Sequence, residues 1–294
     1  VVSLNLPQIR ILANGSEEKF FDILEKRLQL AKKALLLRFE LLKNVTSDCS
    51  PIHWQYGAIA RLKPHEKIDK FMDNGFATLS LGYIGVYEAT KLIKGVSHTD
   101  PVGTAFALKL MDVLKDSVAE WKAETGIGFA LYGTPAENLT NRFCSIDRAR
   151  FGEIKDITDK GYYTNSYHVD VRECISVFDK FSFESEFQKR STGGCISYAE
   201  IPNLNHNLEA VEMMIQYIYD NITYAEFNTK SDYCHVCGFD GEIIINEYNE
   251  WECPQCHNKD KQKMNVTRRT CGYLGENFWN EGRTKEIKSR VLHI

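Results

Sequence analysis

Four cysteines dictate how one stretch of this chain must fold. They stand as two CxxC pairs, Cys234 with Cys237 and Cys253 with Cys256, separated by fifteen residues. That separation lies within the range of a four-cysteine zinc site. Each pair can turn as a tight knuckle that offers two sulfurs to one ion. Two knuckles on a hairpin then complete a tetrahedron with Zn–S near ~2.3 Å. Four thiolates leave no open coordination position, so the metal is read as structural. Gly238 and Asn258 follow the pairs, where a turn needs permissive backbone angles. Two disulfides, free thiols or a redox CxxC are the alternatives, and the paired spacing favours metal over each. His235 and His257 adjoin the ligands, but four sulfurs already suffice.

The rest of the chain bounds what surrounds this module. Its 294 residues are 43% hydrophobic, enough for a large α/β domain beside a small one. A net charge of −4 argues against a protein held to nucleic acid by phosphate contacts. The ribbon carries Asp232, Asp240, Glu242, Glu247, Glu250 and Glu252, the wrong sign for DNA, while Lys259, Lys261, Lys263, Arg268 and Arg269 are expected to contact the protein body or substrate. No apolar run approaches the ~18–20 residues of a membrane span. Nine cysteines, an odd number with four in metal spacing, predict a reducing, cytoplasmic setting.

Hydrophobic periodicity predicts strands alternating with helices, hence a barrel-like or layered α/β core. Strands are expected at 3–12, 76–84, 127–132 and 223–228, and helices at 16–44, 101–125 and 206–222. In the first helix Phe20, Ile23, Leu24, Leu28, Leu30, Ala31, Leu35 and Leu36 recur at helical spacing, with Ser16 as N-cap. In the last, Leu208, Val211, Met214, Ile215 and Ile218 make the apolar face. Cys144, Cys174 and Cys195 fall in apolar surroundings and read as buried, inert thiols; Cys49 reads as a loop thiol. The segment 133–143 follows a predicted strand and opens a predicted helix. Ligands in α/β folds sit beyond the carboxyl ends of strands, and free N–H groups at a helix start bind phosphate. A triphosphate could rest on residues 134–139, although a plain capped connection is the alternative.

One glycine, Gly272, lies in Arg-Arg-Thr-Cys-Gly-Tyr-Leu-Gly at 268–275. A radical on a backbone Cα is stabilised when the carbon is planar between amide and carbonyl, and a Cβ would crowd that arrangement. By itself this glycine reads as a turn. The tail from Asn265 to Gly275, with Phe-Trp-Asn-Glu-Gly-Arg-Thr-Lys-Glu-Ile after it, resembles the C-terminus of the anaerobic (class III) ribonucleoside-triphosphate reductases of bacterial and T4-like phage type. Asn-Leu-Pro at 5–7, Gly-Thr-Pro-Ala-Glu at 133–137, Tyr-Tyr-Thr-Asn-Ser-Tyr-His at 162–168 and Gly-Gly-Cys-Ile-Ser-Tyr at 193–198 extend the resemblance over the whole chain, in order.

The resemblance implies half of a ten-stranded α/β barrel of the glycyl-radical enzyme type over 1–229, a zinc ribbon over 230–262, and a radical loop and tail over 263–294. It implies a stored glycyl radical on Gly272, with Cys271 beside it and outside the metal quartet. Substrate phosphate would meet Thr134, Pro135, Ala136, Asn138 and Leu139. Glu137 would take the 3′-OH proton as the 2′-OH leaves, which is general acid/base work, and Asn5 would hydrogen-bond a ribose hydroxyl. Asn165, Ser166 and His168 lie in a shared, strand-like stretch without an assigned role, and His168 reads as a packed core histidine. The implied partners are a radical S-adenosylmethionine activase with a 4Fe-4S cluster, a ribonucleoside triphosphate, formate as reductant, an upstream half carrying the thiyl cysteine and effector sites, and a second copy in a homodimer. Neither a membrane nor direct nucleic-acid binding is implied. A formate-lyase or dehydratase of the glycyl-radical class, or a non-catalytic zinc-ribbon protein, is the rival reading.

Overall fold

The first strand stops where an asparagine takes over the backbone. In the computed structural model β1 (Val2–Asn5) ends at Asn5, whose Oδ1 accepts the Gln8 backbone N–H at 3.1 Å and starts α1 (Leu6–Ala13). Pro7 lies in the first turn, where its missing N–H leaves no bond unmade. Leu6, Ile9, Arg10 and Ala13, at helical spacing, are buried. The strand expected over 3–12 is therefore corrected to a strand and a helix. The structure describes residues 1–58, 60–73, 76–133, 136, 138–270, 274–276 and 279–293, with Leu274 and Glu276 described by their backbone alone.

After α1, the long helix α2 (Glu17–Leu42) is capped by Ser16 and buries Phe20, Leu24, Leu28, Ala31, Leu35 and Phe39. Leu30 points the other way and is exposed, because it lies about 200° around the helix from Leu28. A short helix α3 (Pro51–Trp54) leads to β2 (Thr78–Ile84), α4 (Val86–Lys94), α5 (Pro101–Thr125) and β3 (Gly128–Tyr132). Then come α6 (Leu139–Phe151), α7 (Val177–Gln188), β4 (Ser197–Glu200), α8 (Leu208–Asn221) and β5 (Ala225–Asn228). Strands β1, β2 and β3 pair in parallel in that order, and β4 pairs in parallel with β5. A parallel bridge from Gly133 to Cys195 joins the two groups. Parallel neighbours need crossovers, and helices fill every one. The main core packs α1, α2, α4 and α5 on the first three strands through Leu24, Leu28, Leu81, Leu110, Leu114 and Leu131.

Helix α8 departs from its expected face. It buries Met214 and half-buries Val211 and Ile218, but leaves Leu208 and Ile215 exposed. The stretch 162–168 is not a strand: only Asn165 makes a β-bridge, antiparallel to Ile84, and Ser166 adopts φ +39°. Its carbonyls do other work. Thr164 and Ser166 accept the Gly85 and Val86 N–H groups, satisfying the open end of α4. Of the remaining thiols, Cys144 is buried and its thiol is pushed up to about 12 by burial. Cys195 is half-buried and Cys49 is exposed. Cys174 is exposed as well, contrary to the expectation of burial, because it sits in the irregular 171–176 segment beside Arg172 and Glu173.

The ribbon follows β5. It is built from β6 (Asp232–Cys234), β7 (Asp240–Gly241), β8 (Ile244–Ile245), β9 (Trp251–Glu252) and β10 (Met264–Asn265), where β6 pairs antiparallel with β7 and β10 and β8 pairs with β9. The hairpin strands β11 (Thr267–Arg269) and β12 (Leu274–Glu276) pair antiparallel, and α9 (Glu281–Ser289) completes the described chain. Among the described residues no helix is long and apolar enough to cross a membrane.

Candidate active-site edge and metal centre

The two knuckles bring the four thiols together. Their sulfurs lie within 4.8 Å of one another, with Cys234 to Cys256 at 3.7 Å and Cys237 to Cys253 at 3.6 Å. A tetrahedron with Zn–S of ~2.3 Å has S···S edges of about 3.8 Å, so the spacing fits one ion bound by four thiolates. Against the upward push of burial, the backbone N–H groups of Cys237 and Val236 and the neighbouring thiols bring Cys234 down to about 6. Cys256, despite the Asn258 backbone N–H at its sulfur, is pushed up to about 12 by burial and by the other thiols. Four such groups cannot all ionise in contact without a cation.

The turns are made slightly differently from expectation. Gly238 (φ +76°) is left-handed in the first knuckle, but His257 (φ +58°), not Asn258, is left-handed in the second. Asn258 instead reaches Cys234 Sγ with Nδ2 at 3.8 Å. His257 faces Glu252 at 2.7 Å and is no ligand. Asp232 is not part of the acidic surface: it is fully buried and paired with Arg268. Lys259 and Arg269 likewise turn onto the protein's own Glu250 and Glu226.

Parallel strands share one carboxyl end, and that edge carries those of the predicted site residues that are described beside the strands, Asn5, Ala136, Asn138 and Leu139. Asn5 closes β1, Ile84 closes β2, the 133–139 segment follows β3, and Glu200 and Asn228 close β4 and β5. Asn5 is already engaged: its Nδ2 donates to Asp147 of α6 at 2.7 Å while its oxygen caps α1. Gln8 Nε2 donates to the same carboxylate at 2.7 Å, and the Tyr163 hydroxyl donates to it at 3.0 Å. Asp147 is thus a fully buried carboxylate among three neutral donors, with no cation in ion-pair range among the described residues. Its sequence context offered no signal, because the partners lie on two other segments, at 5–8 and at Tyr163.

The loop after β3 is described in part. Thr134, Pro135 and Glu137 lie outside the described residues. The Ala136 N–H donates to Asn165 Oδ1 at 3.2 Å, and the Leu139 N–H to the Ala136 carbonyl at 3.2 Å. Those two amides are therefore spent inside the protein. Asn165 emerges as the residue that holds the loop to the end of β2. His168 is a packed core histidine, as expected. It is 1% exposed, with Nδ1 3.1 Å from the Asn165 carbonyl and Nε2 2.8 Å from that of Ile196, and burial lowers its pKa. A cavity of about 430 Å³ opens on this side, lined by Ser3, Gly82, Ile84, Tyr132, Ala136 and Phe143.

Cys271, Gly272 and Tyr273 also lie outside the described residues, but the strands that flank them are clear. Arg269 pairs with Leu274 across the hairpin. The Arg269 N–H donates to Asn228 Oδ1 at 3.3 Å, and the Arg269 carbonyl accepts from Arg290 Nη1 at 2.8 Å. Arg290 also reaches Glu200 at 2.7 Å and Glu286 at 3.0 Å. The hairpin is therefore fastened to the carboxyl ends of β4 and β5. On its other side Asp232 grips Arg268, and the Trp279 ring stands 5.6 Å from that of Trp251, against Gly275.

Residues 1–293 match the family model described as anaerobic ribonucleoside-triphosphate reductase. The chain is 42% identical over 300 residues to the protein of that name from Escherichia coli (strain K12), covering 100% of this chain and 42% of the relative. It is 40% identical over 301 residues to that of Enterobacteria phage T4, covering 100% and 48%. The chain thus spans less than half the length of these curated relatives. A solved anaerobic ribonucleotide reductase superposes with TM-score 0.72 at 24% identity, over 99% of this chain and 44% of the other. The Thermotoga maritima enzyme with glycerol in its active site gives 0.66 at 22%, over 97% and 42%. At those identities the structures speak to the fold.

Proposed function

Because the chain belongs to the anaerobic ribonucleoside-triphosphate reductase family, we propose that it is the glycyl-radical half of an enzyme that reduces ribonucleoside triphosphates to deoxyribonucleoside triphosphates without oxygen. The observation that carries this is the convergence at one sheet edge. Asn5, the loop after β3 and the hairpin flanking Gly272 all stand at the carboxyl ends of the parallel strands. The five parallel strands are then half of a ten-stranded barrel over 1–229; the ribbon, expected over 230–262, runs on through β10 to Asn265, which pairs with β6, and the radical segment follows it to 294.

In this reading Gly272 stores the radical, after an S-adenosylmethionine activase with a 4Fe-4S cluster removes its hydrogen. The radical generates a thiyl on a cysteine of the preceding half, and the thiyl takes the 3′ hydrogen of the ribose. Glu137 accepts the 3′-OH proton and returns it to the departing 2′-OH, which leaves as water, and formate supplies the two reducing electrons and leaves as carbon dioxide. Asn5, held by Asp147, presents its remaining N–H to a ribose hydroxyl. Thr134, Pro135, Ala136, Asn138 and Leu139 shape the phosphate end, with N–H groups other than those of Ala136 and Leu139 as donors. Zinc on Cys234, Cys237, Cys253 and Cys256 would supply no reacting group; it closes the ribbon, a rigid base for the hairpin. A homodimer in the cytoplasm, of a bacterium or of a phage host, completes the reading.

The test is an anaerobic electron paramagnetic resonance spectrum of the full-length protein after treatment with activase, S-adenosylmethionine and reductant, beside Gly272→Ala. A glycine-type doublet that the variant lacks supports the reading. A zinc-loaded, folded protein that forms no radical removes it.

A further inference from the structure

We propose that Asn141 and Gly282 form a positioning contact that couples the substrate loop to the radical hairpin. The inference rests on the reading of 133–139 and of 271–273 given above. Gly282 stands in the first turn of α9, two residues after its Asn280 cap, and its lack of a side chain needs a reason. No unusual backbone angle supplies one, but space does. A Cβ on Gly282 would lie 2.3 Å from Asn141 Nδ2 and 2.6 Å from both Asn141 Cβ and Cγ. Asn141 cannot simply swing away, because its Nδ2 donates to the Gly161 carbonyl at 2.9 Å. Beside it Asn280 Nδ2 donates to Asn138 Oδ1 at 3.0 Å, while Asn280 Oδ1 caps α9 by accepting the Arg283 N–H at 2.9 Å.

Helix α9 is therefore fastened at both ends, besides its seat on the ribbon through Ile287 and Lys288. Its first turn sits on the first turn of α6, the helix that the substrate loop runs into. Its last residues grip the hairpin, through Arg290 on the Arg269 carbonyl. A short helix held at both ends transmits a displacement rather than absorbing it. Ligand that binds at 133–139 and seats α6 must also favour the seated hairpin, and by linkage the seated hairpin must favour the ligand.

The experiment is hydrogen exchange on the full-length, unactivated protein with and without saturating cytidine triphosphate. It compares the natural protein with Gly282→Ala, with the double variant Gly282→Ala/Asn141→Gly, and with Asn138→Ala. In the natural protein the nucleotide should slow exchange at 133–139 and also, by about fivefold or more, at 267–276. Gly282→Ala should keep the first effect and lose the second. The double variant, which moves the methyl group's space from one helix to the other, should regain it. Asn138→Ala leaves the α9 cap intact and, with the nucleotide raised until protection at 133–139 matches the natural protein, should weaken hairpin protection in the same direction, so the test stands even if Gly282→Ala loses zinc and unfolds. Protection of the loop without the hairpin in the natural protein, or hairpin protection unchanged in both single variants, overturns the coupling alone. Protection of neither segment overturns the substrate-loop reading and the coupling with it.

Discussion

Replacing Arg268 by methionine should release the hairpin from the ribbon. Asp232 and Arg268 are 0% and 1% exposed. The carboxylate accepts Arg268 through both terminal nitrogens, and also the N–H groups of Thr267 and Ile243 at 3.2 and 2.8 Å. Arg268 donates in addition to the Ile243 carbonyl at 3.2 Å and stands over the Trp251 ring at 5.3 Å. Methionine fills much of the volume but leaves a buried carboxylate with two backbone donors and no cation. Breaking a buried pair from one side costs about 3–5 kcal/mol, whereas removing both charges costs far less. At 1.4 kcal/mol per decade the single change should speed local opening by roughly two to three and a half orders of magnitude. Asp232→Asn/Arg268→Met should recover most of that. Hydrogen exchange over 232–234 and 264–269, with the rate of zinc release to a chelator, measures it in the full-length protein. A change below about tenfold, or a double variant worse than the single one, would refute the argument that this pair joins ribbon to hairpin.

Other outcomes are expected from the same geometry. Asn5→Ala removes a helix cap, about 1 kcal/mol, and one of three donors to Asp147. Urea titrations of Asn5→Ala, Asp147→Asn and the pair should show coupling above about 0.5 kcal/mol. Gly275→Ala would bring a methyl group to 3.0 Å from Trp279 Nε1. Overpacking of that kind costs about 1–3 kcal/mol, and it should alter tryptophan fluorescence while the metal stays bound. His293 is buried, and its Nδ1 accepts the Glu200 N–H at 2.8 Å, which requires the neutral ring. Burial, with Lys180 adding to it and Glu184 opposing, lowers its pKa to about 3. The neutral form is thus favoured by folding, so this contribution is complete above the unfolded value of ~6.5 and is lost as pH falls towards 3. His293→Asn, which keeps an acceptor near Nδ1, should flatten the fall in urea midpoint between pH 6.5 and 4. Stripping the metal should loosen the ribbon, whose own buried cluster is small, and raise exchange at 264–269 before it affects the strands β1–β3.

The chemistry of the quartet was legible because spacing within CxxC is local, and two local turns suffice to place four sulfurs. The long helices were legible because an apolar face repeats every three or four residues. Where a signal needed its context, the sequence misled. The Asn5-Leu6-Pro7 step ends a strand through an asparagine cap. Residues 162–168 look strand-like by composition, yet their carbonyls close the start of α4. Leu208 and Ile215 share a helical stripe but face outward. Cys174 reads as apolar beside Ile175, yet stays at the surface.

By itself, then, the sequence determined what depends on neighbours along the chain: the pairing of the four cysteines, much of the alternation of strands and helices, and the motif around Gly272. The tertiary structure alone decided which carboxyl ends stand together. It decided that Asp147 holds Asn5 from 142 residues away, that Asn165 takes the Ala136 N–H, and that Gly282 in the tail packs against Asn141 of α6. Those pairings are set by which faces remain after the core is buried, and no local pattern encodes that.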